Sequence, residues 1–336
     1  MAEIRSYSHP RNEFLKFWDL PGVGTDRFPR ESYLSQIEVD RYDFFLLITA
    51  DRFTENDTWL GKEIRKRKKK YFFVRTKMAV DISNNKKAHP RTHNEAAVVK
   101  AIRKSTEQHL KENGCENVPV FLIDNYELKK FDFEQLEYRL VEDFPKLKRS
   151  ALVLSLQANS EKMIRLKVDE LRSRRWIVAA LSAVMAMTQT PGAFVAFDFS
   201  LIVQEAKVYY TQLGLDEISL KRYAELMFCD YRQLLSVVDS RLGCREIGVE
   251  STCINTLIDT LLQHGHVGLL VASNAVGNVA GFIPVGLTGK VITASLACGG
   301  TYYSQKLVLD LMESVALEVV RTAADSAAKV KLHDEL

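Results

Sequence analysis

The fold class predicted by this chain is an α/β domain with a doubly wound parallel sheet, followed by an all-helical domain. Three observations carry that expectation. Apolar runs of strand type end in polar residues at Phe14–Asp19, Tyr42–Ala50 and Tyr71–Lys77. Helical stretches separate those runs, and strands alternating with helices argue a parallel sheet. From about residue 150 the strand signals fade and long helical segments take over. The division is therefore expected as 1–148 for the α/β part and 149–336 for the helical part.

Residues 1–13 read as the end of a strand and a polar turn holding His9-Pro10. The strand Phe14–Asp19 sets a carboxylate at its carboxyl end, where open α/β sheets bind ligands. Phe28–Arg41 is helical, with Tyr33, Ile37 and Val39 on an apolar side. Tyr42–Ala50 is almost continuously apolar, as expected of a strand buried on both faces. Asn56 or Asp57 can cap the next helix, which runs to Lys70. That helix ends in six consecutive cations, Arg65–Lys70. Such a run is either an anion-binding patch or, more simply, a solvated helix end that complements the macrodipole.

After the strand ending in Thr76-Lys77, Ser83–His93 reads as a loop with paired lysines and a His-Pro. Thr92 or Asn94 then caps a helix through Ala101–Lys111, closed by Gly114. Val118–Ile123 is a short strand leading into Asp124-Asn125, and Phe131–Phe144 is an amphipathic helix stopped before Pro145. Beyond it, Ser160–Arg175 and Leu215–Arg232 are amphipathic, Trp176–Phe197 and His266–Gly289 carry no Lys, Arg, Asp or Glu, and Leu307–Leu336 is a terminal helix. Each uncharged stretch approaches the roughly 20 residues that span a bilayer. Both are interrupted, however, by Thr188-Gln-Thr-Pro-Gly192 and by Gly277, Gly281, Pro284 and Gly286. Broken backbone in lipid leaves polar groups unpaired, so pairs of buried helices fit better, with reversible membrane association as the second reading.

A chain of 336 residues with 46% hydrophobic and 26% charged residues can build two cored domains. A net charge of +3 gives no reason to expect a nucleic-acid partner. Five cysteines without Cys-x-x-Cys spacing read as thiols of a reducing compartment. The amino terminus has no apolar signal core, and Ala2 stands where N-myristoylation needs glycine. His333-Asp-Glu-Leu336 matches a lumenal retention address, which acts only on proteins that enter that compartment. A cytoplasmic location is expected.

Asp19-Leu-Pro-Gly22 is the first candidate site. Asp19 is placed to hold Mg²⁺ through water, as a Walker-B aspartate does. Gly22 has no Cβ, so its N–H can approach a phosphate oxygen. A surface turn after a strand satisfies the same four residues, and the later blocks decide between the two. They read Trp18-Asp-Leu-Pro-Gly-Val-Gly-Thr25, then Tyr42-Asp-Phe-Phe-Leu-Leu-Ile-Thr-Ala-Asp-Arg-Phe53, then Phe73-Val-Arg-Thr-Lys77. In order and spacing they resemble the Ras-like guanine-nucleotide domain of the immunity-related (interferon-inducible) GTPases, a domain of the phosphate-loop NTPase type. The resemblance continues into the helical part, at Tyr209-Tyr-x-x-Leu-Gly-Leu-Asp-Glu-x-Ser-Leu-Lys-Arg222, Phe282-Ile-Pro-Val-Gly286 and Thr301-Tyr-Tyr303.

That resemblance implies GTP or GDP with Mg²⁺ as ligands, GTP hydrolysis, homotypic association with other family GTPases, and peripheral action at intracellular membranes in cell-autonomous immunity. It places Thr76 and Lys77 on the guanine-recognition motif and Asp124 and Asn125 on the last base-contacting motif. Asp19 and Gly22 fall on the metal and γ-phosphate side. Ala79 stands where the family's base-binding aspartate belongs, and Asp81 lies two residues on. Losing two charge-assisted bonds to the base weakens guanine binding about 100-fold or more. No Gly-x-x-x-x-Gly-Lys-[Ser/Thr] occurs; Gly286-Leu-Thr-Gly-Lys-Val291 has Pro284 and Val291 where glycine and hydroxyl belong. In the family that loop, its strand and its helix precede Asp-x-Pro-Gly, so the resemblance implies an incomplete domain. The absent strand would lie between Phe14–Asp19 and Tyr42–Thr49, leaving a slot about 10 Å wide. The expected function is therefore an interferon-inducible-type GTPase with doubtful nucleotide handling. The alternatives are a non-catalytic scaffold for intact family members and a truncated gene product.

Overall fold

The computed structural model describes residues 3–10, 12–188, 193–242 and 287–334. The chain divides into two units, Met1–Ser155 and Leu156–Leu336. In the first, β1 (Arg5–His9) and β2 (Asn12–Asp19) form an antiparallel hairpin in which Arg5 faces Asp19, with a register shift at His9. Next come α1 (Arg30–Gln36) and a 3₁₀ turn at Val39–Arg41, so the predicted single helix is broken where Glu38 adopts φ 52°.

β3 (Phe44–Thr49), β4 (Lys70–Arg75) and β5 (Val120–Leu122) make a parallel three-stranded sheet in that order. No ladder joins β2 to β3, so the described strands form two sheets rather than one. Phe45, Leu47, Tyr71 and Phe73 bury one face of the parallel sheet together with Tyr33 and Ile37. Leu60 and Ile64 of α2 (Glu55–Lys66) complete that core. The other face packs Phe72, Val74 and Phe121 against Leu136 of α5 (Phe133–Asp143). This cover reaches Phe44, whose ring meets Phe72 and Phe144, but not the rest of β3. Leu46 and Ile48, in register with Phe72 and Val74, are 38% and 61% exposed. The strand predicted to be buried on both faces is open on one of them beyond Phe44.

Helix starts follow cap chemistry, with three corrections. The cap of α2 is neither Asn56 nor Asp57 but Thr54, whose side chain bonds Asp57 N while the Asp57 carboxylate bonds Thr54 N. That capping box leaves Asn56 free for another task. α3 (Met78–Ala88) occupies half of the stretch predicted as a loop. The cation run does not lie on one helix. Lys66 and Arg67 pair with Glu63, Lys69 donates to the carbonyls of Asp40 and Tyr42, and Lys70 opens β4 and meets Asp143. α4 (Glu95–Glu112) starts at Asn94, whose side chain accepts from Ala97 N at 3.0 Å, and ends before Gly114 at φ +71°. α6 (Lys146–Ser155) closes this unit, with the Asn12 amide donating to Ala151 O and Ser155 Oγ.

The described residues of the second unit are helical: α7 (Glu161–Thr188), α8 (Ala193–Gln212), α9 (Glu217–Met227), α10 (Tyr231–Leu242) and α11 (Leu287–Asp334). Val168 and Leu171 of α7, Ala206 and Tyr209 of α8, and Met312 and Val315 of α11 are buried. The predicted Leu215–Arg232 helix is two helices, parted at Phe228 with φ +51°. The terminal helix starts at Leu287, well before the predicted Leu307. The uncharged half of α7 is only partly core, for Trp176, Ile177, Leu181 and Val184 are exposed. The predicted interruption at 189–192, nearly all of His266–Gly289 and the side chains of the last four residues lie outside the described residues. Among the described residues, no helix is long and apolar enough to cross a membrane.

Candidate nucleotide site

The ends of β4 and β5 build one half of the site. Ladder pairing sets Arg75 beside Leu122, and Ile123 N then donates to Arg75 O at 2.8 Å. Thr76 N donates to Thr49 O at 2.9 Å, which anchors the end of β4 to the end of β3. The chain reverses through Lys77, in the left-handed region at φ 62° and ψ 33°, and Met78 N donates to Ile123 O. Lys77 is thus the N-cap of α3, yet it offers that helix no side-chain acceptor.

Asp124 supplies the missing cap from the neighbouring loop. Its Oδ2 accepts from Ala79 N at 2.9 Å and its Oδ1 accepts from Tyr126 N at 3.0 Å. A carboxylate set on the first turn of a helix satisfies an orphan donor and complements the positive end of the dipole. Asp124 is only 3% exposed, whereas Lys77 and Asn125 beside it are open. The structure therefore gathers Thr76, Lys77, Asp124 and Asn125 into one loop pair. Asp81 does not join them. It sits inside α3, and its Oδ2 accepts from Arg75 Nη2 at 2.7 Å.

Asp19 and Gly22 lie at the end of β2 in the other sheet. Asp19 is exposed, and no side-chain hydrogen bond engages it among the described residues. Gly22 is exposed, and a Cβ there would meet nothing within 4 Å. Among the described residues, no hydrogen bond or ion pair joins either residue to Thr76, Lys77, Asp124 or Asn125. The glycine that geometry demands is Gly24, at φ +84°, where a Cβ would lie 2.2 Å from Asn56 Nδ2. Asn56 braces this loop. Its amide donates to Val23 O at 3.0 Å and its carbonyl oxygen accepts from Arg30 Nε at 2.6 Å. Tyr33 completes the brace by donating to Pro21 O at 2.7 Å, and burial pushes its hydroxyl pKa up to about 12. Sequence reasoning missed Asn56, Arg30 and Tyr33 as loop supports. The second glycine of Pro-Gly-Val-Gly was the available signal.

A family model described as Interferon-inducible GTPase (IIGP) matches residues 2–247. The chain belongs to that family. Among the interferon-inducible GTPases it is 36% identical over 219 residues to T-cell-specific guanine nucleotide triphosphate-binding protein 2 of Mus musculus, covering 65% of this chain and 52% of that protein. It is 32% identical over 238 residues to Interferon-inducible GTPase 1 of Mus musculus, covering 71% and 58%. For Interferon-inducible GTPase 5 of Rattus norvegicus the figures are 33% over 237 residues, 70% and 51%. The chain spans about half the length of the curated relatives it matches. The family is one of GTPases, which use a guanine nucleotide, generally with Mg²⁺.

The chemistry of the residues present fits that ligand in part. The exposed Lys77 stem and Asn125 can meet a base, and the unengaged Asp19 carboxylate suits a water-mediated Mg²⁺ contact. The acceptor for the base edge is missing at Ala79.

Proposed function

We propose that these residues form the base-side half of the guanine-nucleotide site of an interferon-inducible-type GTPase, in an incomplete Ras-like domain followed by an all-α domain. The observation that carries this reading is the Lys77 reversal, held between Thr49 O and Ile123 O with Asn125 open beside it. In this reading Lys77 lies over the base plane, Thr76 fixes the loop, and Asn125 offers a donor to the base carbonyl. Asp19 would hold Mg²⁺ through water, and Gly22 N–H would serve the γ-phosphate. When bound, Mg²⁺ neutralises charge on the transferring phosphoryl group. The separation of β2 from β3 and the exposure of Leu46 and Ile48 support a domain that lacks its phosphate-loop strand and helix.

Ala79 and the capping use of Asp124 favour a second reading. Here the chain is a non-catalytic partner that associates with intact family GTPases at intracellular membranes, as a cytoplasmic, peripherally bound protein in innate immunity. Calorimetric titration of residues 1–336 with GTP, GDP and ATP in Mg²⁺ buffer separates the two. Mg²⁺-dependent heat with GTP or GDP but not ATP upholds the GTPase reading. No heat with any of them refutes nucleotide handling by this chain and leaves the partner role.

A further inference from the structure

A groove of about 620 Å³ runs between α3 and α4, and neither Lys77 nor Asn125 lines it. That volume lies within the roughly 300–1,000 Å³ of sites that take small ligands. One wall is apolar and belongs to α4: Ala97, Val98, Ala101 and Ile102. Helical spacing sets Ala97 and Ala101 on one face and Val98 and Ile102 beside it. The opposite wall is polar, with Asn85, His89 and Thr92, and the Arg75–Asp81 ion pair closes one end.

The charge around this groove is lopsided. Residues 86–104 contain six Lys and Arg against one carboxylate, Glu95, although the whole chain nets only +3. Glu95 is taken by Lys130, and Arg103 is spent on Asp132 and Val120 O. Lys86, Lys87, Arg91, Lys100 and Lys104 are exposed and have no ion pair or hydrogen bond among the described residues. The Arg65–Lys70 run is different, since Lys66, Arg67, Lys69 and Lys70 are all engaged within this unit. Lys100 and Lys104 stand three residues beyond Ala97 and Ala101, on the same exposed side of α4. Among the described residues no unpaired cation lines the groove itself, but Lys100 and Lys104 flank its apolar wall along α4, which suits a ligand that is apolar along its body and negative at one end.

We propose that the α3–α4 groove is a binding site for an anionic amphiphile, its apolar body on the Ala97–Ile102 wall and its carboxylate or phosphate head among Lys100, Lys104 and the α3–α4 connection. A free fatty acid and an acidic membrane lipid share this chemistry. The 336-residue chain is titrated with oleate below its critical micelle concentration, and a diazirine-bearing analogue is photo-crosslinked and mapped by peptide mass spectrometry. Oleate is expected to bind with a Kd on the order of 10–100 µM, from the efficiency usual for ligands of its size. The label should fall within residues 97–102.

Ala101→Trp, at an exposed helix position, should abolish both signals with the circular dichroism unchanged. Lys100→Glu with Lys104→Glu should weaken binding about ten-fold or more and remove its salt dependence. Lys16→Glu, on β2, should change nothing. Two further probes separate the sources. Phosphatidylglycerol vesicles that bind wild type but not Ala101→Trp identify a membrane lipid as a second occupant of the same groove. Vesicle binding indifferent to Ala101→Trp, or inositol hexakisphosphate binding as tightly as oleate, would reduce the feature to a basic surface and overturn the proposal. Labelling outside α3 and α4, or no labelling, overturns it outright.

Discussion

Replacing Ala79 with aspartate, the residue the family's motif calls for, is expected to damage this chain rather than repair it. Asp124 is buried, and its Oδ2 lies 2.9 Å from Ala79 N. An aspartate side chain at 79 would bring a second carboxylate to within roughly 5 Å of it, a repulsion of about 3 kcal/mol at an effective dielectric near 20. Asp124→Ser alone takes the acceptor from Ala79 N and Tyr126 N. Two charge-assisted bonds, partly replaced by the serine hydroxyl and water, put that loss at about 2–4 kcal/mol. In the double variant the repulsion is gone, and the hydroxyl can donate to the new carboxylate. Denaturant unfolding of wild type, both single variants and the double variant closes a cycle. The double variant should be about 3 kcal/mol more stable than the sum of the single effects predicts, equivalent to about 6–12 °C in melting temperature for a unit of this size. Additivity to within about 0.5 kcal/mol would show that the two positions do not share one carboxylate slot, and would refute the capping role of Asp124.

Gly24→Ala should destabilise the first unit by about 1–3 kcal/mol, because it combines a left-handed φ with a clash on Asn56; adding Asn56→Ala should relieve the clash part and leave the φ part. Thr54→Ala removes one arm of the capping box and should cost about 1 kcal/mol by the same unfolding assay. Tyr33 makes an alkaline limb of stability. Its folded pKa is raised to about 12 from 10.0, so its contribution is complete below pH 10 and lost as pH rises from 10 to about 12. Tyr33→Phe should flatten that limb in an alkaline titration of stability, at the expense of the bond to Pro21 O.

The parallel sheet was legible because Phe44–Thr49, Lys70–Arg75 and Val120–Leu122 are apolar runs separated by helices with recognisable caps. The hairpin partner β1 was less so. Arg5-Ser-Tyr-Ser-His9 has one aromatic residue among polar ones, and ladder bonds to β2 rather than side-chain burial place it. The Ser83–Ala88 half of α3 was hidden by its composition, for asparagines and lysines there carry little apolar periodicity. In the candidate site, the closeness of Thr76-Lys77 to Asp124-Asn125 followed from strand order. The fate of each carboxylate did not. Asp81 looks like a displaced base ligand in one dimension, but a helix that begins at Met78 carries it to Arg75. Asp124 looks like a substitution in a base-contacting motif, and three-dimensional contact makes it the cap of another element.

Ile48 tests whether the open face of β3 is the protein's working state. Its neighbours along the ladder, Val74 and then Phe121, are buried, so β3 beyond Phe44 is the point at which a continuous apolar surface loses its cover. The strand carries no proline, bulge or inward charge between Phe44 and Thr49, the devices that blunt a permanent sheet edge. Ile48→Thr removes little buried area at 61% exposure, and a substitution at an exposed site shifts stability by only about 0.5 kcal/mol. Had a helix lain over the strand, a truncation of this kind would approach the roughly 2–5 kcal/mol of a core isoleucine replaced by alanine. Urea unfolding of Ile48→Thr and Ile48→Ala decides between the two. Small losses with reduced aggregation match an uncovered face that self-associates when apolar. Losses above about 2 kcal/mol would mean that other residues cover Ile48, and the inference of a missing strand and helix would fall with them.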